Sequence, residues 1–209
     1  DWPTPVRVQS DHFADYADVV ETLRARDLAY RCFKTRAEIS ASMPEHAPFT
    51  GARLPPSQEA ERLERGEPFA WRLSLEACQE MLGPVYHELS FKLDGANGIE
   101  TQSANPALHG DIVIARKDSP SAYHIAATHD DALQGITHII RGDDLADAPH
   151  IQTLLQVLMG WPQPIYHHHR LMLGPDGKRL AKSHGSISLA ELRASGHSPS
   201  DIWAMIETE

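Results

Sequence analysis

Cysteine is scarce in this sequence, with only Cys32 and Cys78 among 209 residues. Two thiols cannot build a disulfide framework or a Cys-rich zinc cage, and they fit a reducing compartment, so a cytoplasmic protein is expected. Long apolar runs are missing too. No stretch approaches the ~18 apolar residues of a membrane helix and no signal peptide opens the chain, so no membrane association is expected. Positive charge is in deficit: 19 Lys and Arg against 29 Asp and Glu leave a formal net charge of −10. That argues against a general polyanion binder but leaves room for a local basic patch. Internal repeats and low-complexity tracts are also absent. What is present suits one folded domain with a small insert. Hydrophobic residues make up 41% and charged residues 23%, and the length suffices to bury a core without disulfides.

Ser10 stands where a cap would start a helix running to about Arg26, with Phe13, Tyr16, Val19, Val20 and Leu23 at helical spacing. Thr35-Arg36-Ala37-Glu38 has the form of a capping box. Residues 41–56 are rich in Pro, Gly and Ala and read as a loop. A short helix over 57–65 ends at Gly66, a strand covers 69–73, and a helical pattern around 78–82 stops at Gly83-Pro84. Residues 111–116 and 136–140 read as buried strands, with Gly135 as a C-cap between them. Asp147 and Pro149 fit the start of a helix through Met159, with Gly160 past its end. A third extended run covers 165–173, and Pro175-Asp176-Gly177 is a turn. Strands alternating with helices predict an α/β fold with a mostly parallel sheet.

Several clusters could carry chemistry. Lys178 to Ser186 combines cations, hydroxyls and small residues. It suits a polyphosphate, or it is a solvated basic loop. His167, His168 and His169 invite a metal, but alternation on a strand puts only two on one face, and no Cys or carboxylate stands nearby at ligand spacing. The alternative is a polar strand end beside a pocket. Arg141 follows a strand and precedes Gly142-Asp143-Asp144, where α/β sheets bind ligands. It can grip a carboxylate with its guanidinium fork, or pair internally with Asp143, Asp144 or Asp147. Asp130 and Asp131 are adjacent on a helix and face different ways, which favours a structural role over Mg²⁺ binding.

From Gly110 to Ser186 these pieces stand in a characteristic order. They are Asp111 to Asp118, Tyr123-His124-Ile125-Ala126 ahead of Asp130-Asp131, Gln134 to Leu145, Tyr166 to Leu171, and Arg179-Leu180-Ala181-Lys182-Ser183. In that order and spacing the chain resembles the catalytic domain of the glutamyl-tRNA synthetases, a class I aminoacyl-tRNA synthetase family. Val6 to Ser10 and Cys32 to Ile39 also look like this family. Within it the resemblance is nearest to the short paralogues, the glutamyl-Q tRNA(Asp) synthetases, because only 26 residues follow Ser183 and Ala127 stands where canonical members usually carry Asn.

The resemblance implies a Rossmann-like catalytic domain with a connective insert. Residues 1–34 would complete the first Rossmann half, 35–109 the insert, 110–174 the second half, and 175–209 a KMSKS-like loop with C-terminal helices. No anticodon-binding domain is expected. The family's HIGH-bearing strand and helix precede the text matching Val6, so the chain is expected to lack them, as a fragment or as a degenerate paralogue.

The implied activity is ATP-dependent activation of L-glutamate and its transfer to the queuosine base of tRNA(Asp). The alternatives are a non-catalytic paralogue binding glutamate or tRNA, and a split synthetase acting on tRNA(Glu). Lys182 is then the catalytic lysine, Arg179, Leu180, Ala181, Lys182 and Ser183 contact ATP with its Mg²⁺, and Tyr123 and Arg141 bind glutamate. Arg179 and Ala181 replace the usual Lys and Ser, with the charges kept. Many relatives bind zinc through a Cys-x-Cys pair. Here the pair reads Cys32-Phe33-Lys34, and an ammonium is no ligand, so no structural zinc is expected. A monomer is expected.

Overall fold

The structure is a computed structural model that describes residues 4–44, 47–116, 121–174, 180 and 187–207. The chain divides into two compact bodies, residues 1–139 with 147–167, and residues 140–146 with 168–209. No helix among the described residues is long and apolar enough to cross a membrane.

The first body begins with α1 (Phe13–Ala25), which buries Tyr16, Val19, Val20 and Leu23, the residues that helical spacing singled out. Ser10 does not cap it. Ser10 lies in a 3-10 turn over Gln9–Asp11, and the helix opens after His12, which makes no side-chain cap. The tight turn uses the residue that an uninterrupted helix would have used as its cap. β1 (Ala29–Cys32) follows, then α2 (Arg36–Ser42), whose capping box between Thr35 and Glu38 forms as the sequence predicts. α3 (Pro56–Glu64) carries proline in its first turn, and Gly66 beyond it takes a φ of 68°.

β2 (Ala70–Leu73) leads into α4 (Leu75–Leu82), which Ser74 caps through the Ala77 amide, and then into the short α5 (Pro84–His87). β3 (Ser90–Gly95) and β4 (Gly98–Ser103) form a hairpin, and β5 (Val113–Arg116) precedes α6 (Tyr123–Leu133). α7 (Ala148–Met159) ends at Gly160, which is left-handed at φ 67° as its predicted C-cap role demands. The chain passes between the bodies within β6 (His138–Gly142) and β7 (Ile165–His169).

Two sheets result, ordered β1-β2-β5 and β4-β3-β7-β6. β3 pairs with β7 in parallel, as expected for an α/β fold, but the strand pairing is mixed rather than mostly parallel. The pairs β1–β2, β2–β5 and β3–β4 are antiparallel. The tight β3–β4 reversal makes that pair antiparallel, whereas β1, β2 and β5 come together through long connections. A second correction concerns 136–140, which read as a buried strand. Ile136 lies before β6 and is exposed, and within β6 the alternation places His138 and Ile140 on an exposed face while Ile139 and Arg141 are half-buried. The core of the first body gathers Leu23, Leu73, Ile114, Ile125, Ile151 and Leu154 from α1, β2, β5, α6 and α7.

In the second body, a 3-10 turn covers Asp143–Leu145, and α8 (Leu189–Ala194) is capped by a box between Ser188 and Glu191. α9 (Pro199–Glu207) follows, and the Ile206 carbonyl accepts from Arg170 Nη2 at 2.7 Å.

Candidate functional site

In the first body, Tyr123 opens α6 directly behind β5. The Ala122 amide donates to the Ile114 carbonyl at 3.0 Å, which ties the helix start to that strand. Tyr123 is 51% exposed. Its ring meets His124 edge-on at 5.3 Å, and His124 meets His109 at 5.6 Å. His109 donates from Nε2 to the Asp147 carbonyl at 2.7 Å, which fixes its tautomer.

The far half of α6 is anchored through Asp130. Tyr16 donates to its carboxylate at 2.8 Å, Arg7 Nε at 2.9 Å and Gln9 Nε2 at 3.1 Å. Burial alone would raise the pKa of Asp130, but the hydrogen bonds from Tyr16, His129, Gln9 and Arg7 outweigh it and hold the carboxyl below its usual range. This is the structural role that the adjacent Asp130-Asp131 pattern favoured.

A second buried carboxylate precedes β5. Asp111 Oδ2 accepts from the Tyr30 hydroxyl and the Gly51 amide, both at 2.8 Å, and Oδ1 accepts from the Leu75 amide at 2.9 Å. Burial, with the Asp111 charge beside it, pushes the Tyr30 phenol upward. The loop over 47–54, weakly patterned in sequence, is thus fastened to β5.

In the second body, Arg141 is the fourth residue of β6 and lies at its carboxyl end. Its Nε donates to His168 Nε2 at 3.3 Å. His168 is likewise the fourth residue of β7. Gly142 follows in a close fit. A β-carbon there would stand 2.7 Å from Asp144 Oδ1 and 2.9 Å from Leu171 Cδ2. An arginine held this way can pair with a carboxylate through its fork.

The histidine triplet divides among different partners. His167 Nδ1 lies 2.9 Å from the Asp94 carbonyl, His168 meets Arg141, and His169 Nδ1 lies 2.9 Å from the Arg170 carbonyl. Among the described residues, no cluster of three or more His, Cys, Asp or Glu side chains is gathered as for a metal. The contact between His168 and Arg141 was not foreseen from the sequence. The sequence held no signal for it, since Arg141 fell after the strand expected over 136–140 and the matching places in β6 and β7 emerge only from the folded strands.

Of the predicted ATP-contacting residues, only Leu180 is described. Its amide donates to the Met172 carbonyl at 2.8 Å. Arg179, Ala181, Lys182 and Ser183 lie outside the described residues, as does the turn at 175–177. Cys32 and Cys78 are buried, and burial pushes the Cys78 thiol up to about 12. The Lys34 ammonium lies 5.9 Å from the Phe49 ring centroid.

The fold is a mixed α/β architecture, and Arg141 stands at a strand's carboxyl end, where open α/β sheets commonly bind ligands. The chain belongs to the tRNA synthetases class I (E and Q), catalytic domain, whose family model matches residues 1–207. It is 36% identical to the glutamyl-Q tRNA(Asp) synthetase of Rhodobacter capsulatus, over 98% of this chain and 76% of that protein. It is 34% identical to the protein of that name from Nocardia farcinica, over 99% of this chain and 63% of that protein. A crystal structure of a glutamate tRNA ligase from Elizabethkingia meningosepticum, in complex with its amino acid, superposes with a TM-score of 0.63 at 25% identity. The match covers 94% of this chain and 39% of that one.

Proposed function

We propose that this chain forms the catalytic domain of an enzyme that activates L-glutamate with ATP and transfers it to the queuosine base of tRNA(Asp). The observation that carries this reading is the family match over residues 1–207, together with relatives of that name aligned along nearly the whole chain.

The chemistry runs in two steps. A glutamate carboxylate oxygen attacks the α-phosphorus of ATP, the bond to pyrophosphate breaks, and glutamyl-adenylate forms. A hydroxyl of the queuosine cyclopentene ring then attacks the activated carbonyl, its proton is lost, and AMP leaves. Arg141 pairs with a glutamate carboxylate and Tyr123 donates its hydroxyl. Lys182 neutralises charge building on the phosphates, with Arg179, Leu180, Ala181 and Ser183 around it, and Mg²⁺ accompanies the ATP. Phosphoryl transfer of this kind depends on positioning and charge stabilisation, which side chains on strand ends and loops supply.

Residues 1–34 and 110–174 form the two Rossmann halves, 35–109 the insert, and 175–209 the signature loop and final helices. No structural zinc is assigned, because an ammonium at the third place of Cys32-Phe33-Lys34 carries no lone pair for a metal. The enzyme works as a cytoplasmic monomer.

The test uses the full-length gene product. Glutamate-dependent exchange between ATP and pyrophosphate reports the first step. Transfer of labelled glutamate to queuosine-containing tRNA(Asp) reports the second. A specific observation supports one other acceptor. The chain is also 33% identical to glutamate–tRNA ligase 2 of Alkalilimnicola ehrlichii, over 93% of its length, so tRNA(Glu) belongs in the same assay. Glutamylation of tRNA(Glu) alone would replace the queuosine reading.

A further inference from the structure

We propose that His168 is a positioning residue for glutamate binding, which it serves by holding Arg141. The inference rests on the reading of Arg141 as a carboxylate-binding residue and adds a residue that acts through it. Arg141 Nε donates to His168 Nε2 at 3.3 Å, across the carboxyl ends of β6 and β7. For Nε2 to accept, the imidazole is neutral and carries its proton on Nδ1.

An arginine side chain has several rotatable bonds, and a fork that must meet a carboxylate loses binding energy when it searches among rotamers. One bond at Nε fixes the plane of the guanidinium and directs the Nη edge. Gly142 follows Arg141, and the side-chain ends of Asp144 and Leu171 come close to its α-carbon, 2.7 and 2.9 Å from where a β-carbon would stand. His168 supplies a side-chain contact that orients the guanidinium. The neighbouring His167 and His169 go to other partners, so the triplet places one ring on the arginine.

The test is a KM split in glutamate-dependent pyrophosphate exchange by the full-length gene product. His168→Ala and His168→Phe remove the acceptor, and His168→Gln keeps one in its side-chain carbonyl. The expected result is a KM for glutamate raised about tenfold in the Ala and Phe variants, the scale of one hydrogen bond to a charged group. The KM for ATP and the melting midpoint stay near wild type, and the Gln variant recovers to within about threefold. Phe fills the ring's volume, so it reads the acceptor even where Ala disturbs packing. An unchanged glutamate KM in the Phe variant overturns the inference, as does a joint rise of both KM values. Wild-type protein with no glutamate-dependent exchange overturns the proposed function itself, and this inference falls with it.

Discussion

The Tyr16 hydroxyl donates to Asp130 Oδ2 at 2.8 Å, joining α1 to α6 across 114 positions of sequence. Arg7 and Gln9 reach the same carboxylate, so the segment before α1 is pinned to the helix that Tyr123 opens. Asp130→Asn removes the charge that these donors share. A hydrogen bond to a buried charged group contributes about 1.5–3 kcal/mol, and a loss of about 2 kcal/mol in urea-unfolding free energy is expected. The wild type also has a pH signature. The folded pKa of Asp130 is depressed, so its contribution is complete above the unfolded value near 3.8 and is lost as pH falls through the lower folded value. Melting midpoints between pH 5 and pH 2.5, about one unit either side of ordinary carboxylate titration, should therefore fall less steeply in Asp130→Asn than in wild type.

Asp111→Asn tests the fastening of the 47–54 loop. Asparagine keeps one acceptor oxygen where the carboxylate serves the Tyr30 hydroxyl and the amides of Gly51 and Leu75. One side is then left without an acceptor, which costs about 1–3 kcal/mol. Limited proteolysis should cut near Gly51 sooner than in wild type. A cleavage pattern identical to wild type would show that the carboxylate is not what holds the loop.

Gly110→Ala is expected to be more damaging than an exposed Gly→Ala change. Gly110 has a φ of 61°, and a β-carbon there would lie 2.4 Å from the Phe49 carbonyl oxygen. Backbone cannot yield as a side-chain end does, and left-handed geometry adds its own strain of about 1–3 kcal/mol. Expression of soluble protein and its thermal midpoint should both fall. Gly66→Ala, with a similar φ of 68° and open space around it, separates the strain from the clash.

His150 gives a prediction near neutral pH. It is buried, its Nδ1 accepts from the Asn105 amide at 3.0 Å, and its ring meets Phe91 edge-on. Burial lowers its pKa below 6.5, against a smaller upward pull from Asp147. The neutral ring is the one the fold accommodates. Its stabilising contribution is whole above the unfolded value of 6.5 and declines as pH falls from there through the folded value. Urea midpoints at pH 7.5 and pH 5.5, about one unit either side of ordinary imidazole titration, should differ more in wild type than in His150→Gln.

Features governed by adjacent residues were legible in the sequence. The Thr35–Glu38 box, the proline-led start of α7 and its Gly160 stop all depend on neighbours within a turn, so their chemistry is written locally. For the candidate site, Arg141 was singled out by its place after a strand and Tyr123 only by the family resemblance. What failed depended on partners far along the chain. Ser10 went into a 3-10 turn while Arg7 and Gln9, just before it, reached Asp130. The exposure of Ile140 depends on which face of β6 is left uncovered, which no window of sequence contains. The Arg141–His168 contact likewise depends on two strands meeting at one level.

The central claim is that activated glutamate goes to a modified base in tRNA(Asp). The most direct measurement is labelled-glutamate transfer by the full-length gene product to two preparations of tRNA(Asp), one with queuosine and one with unmodified guanosine at the same site. The account predicts incorporation only into the queuosine-containing tRNA, dependent on ATP. Equal labelling of both, or labelling of tRNA(Glu) in place of tRNA(Asp), would contradict it.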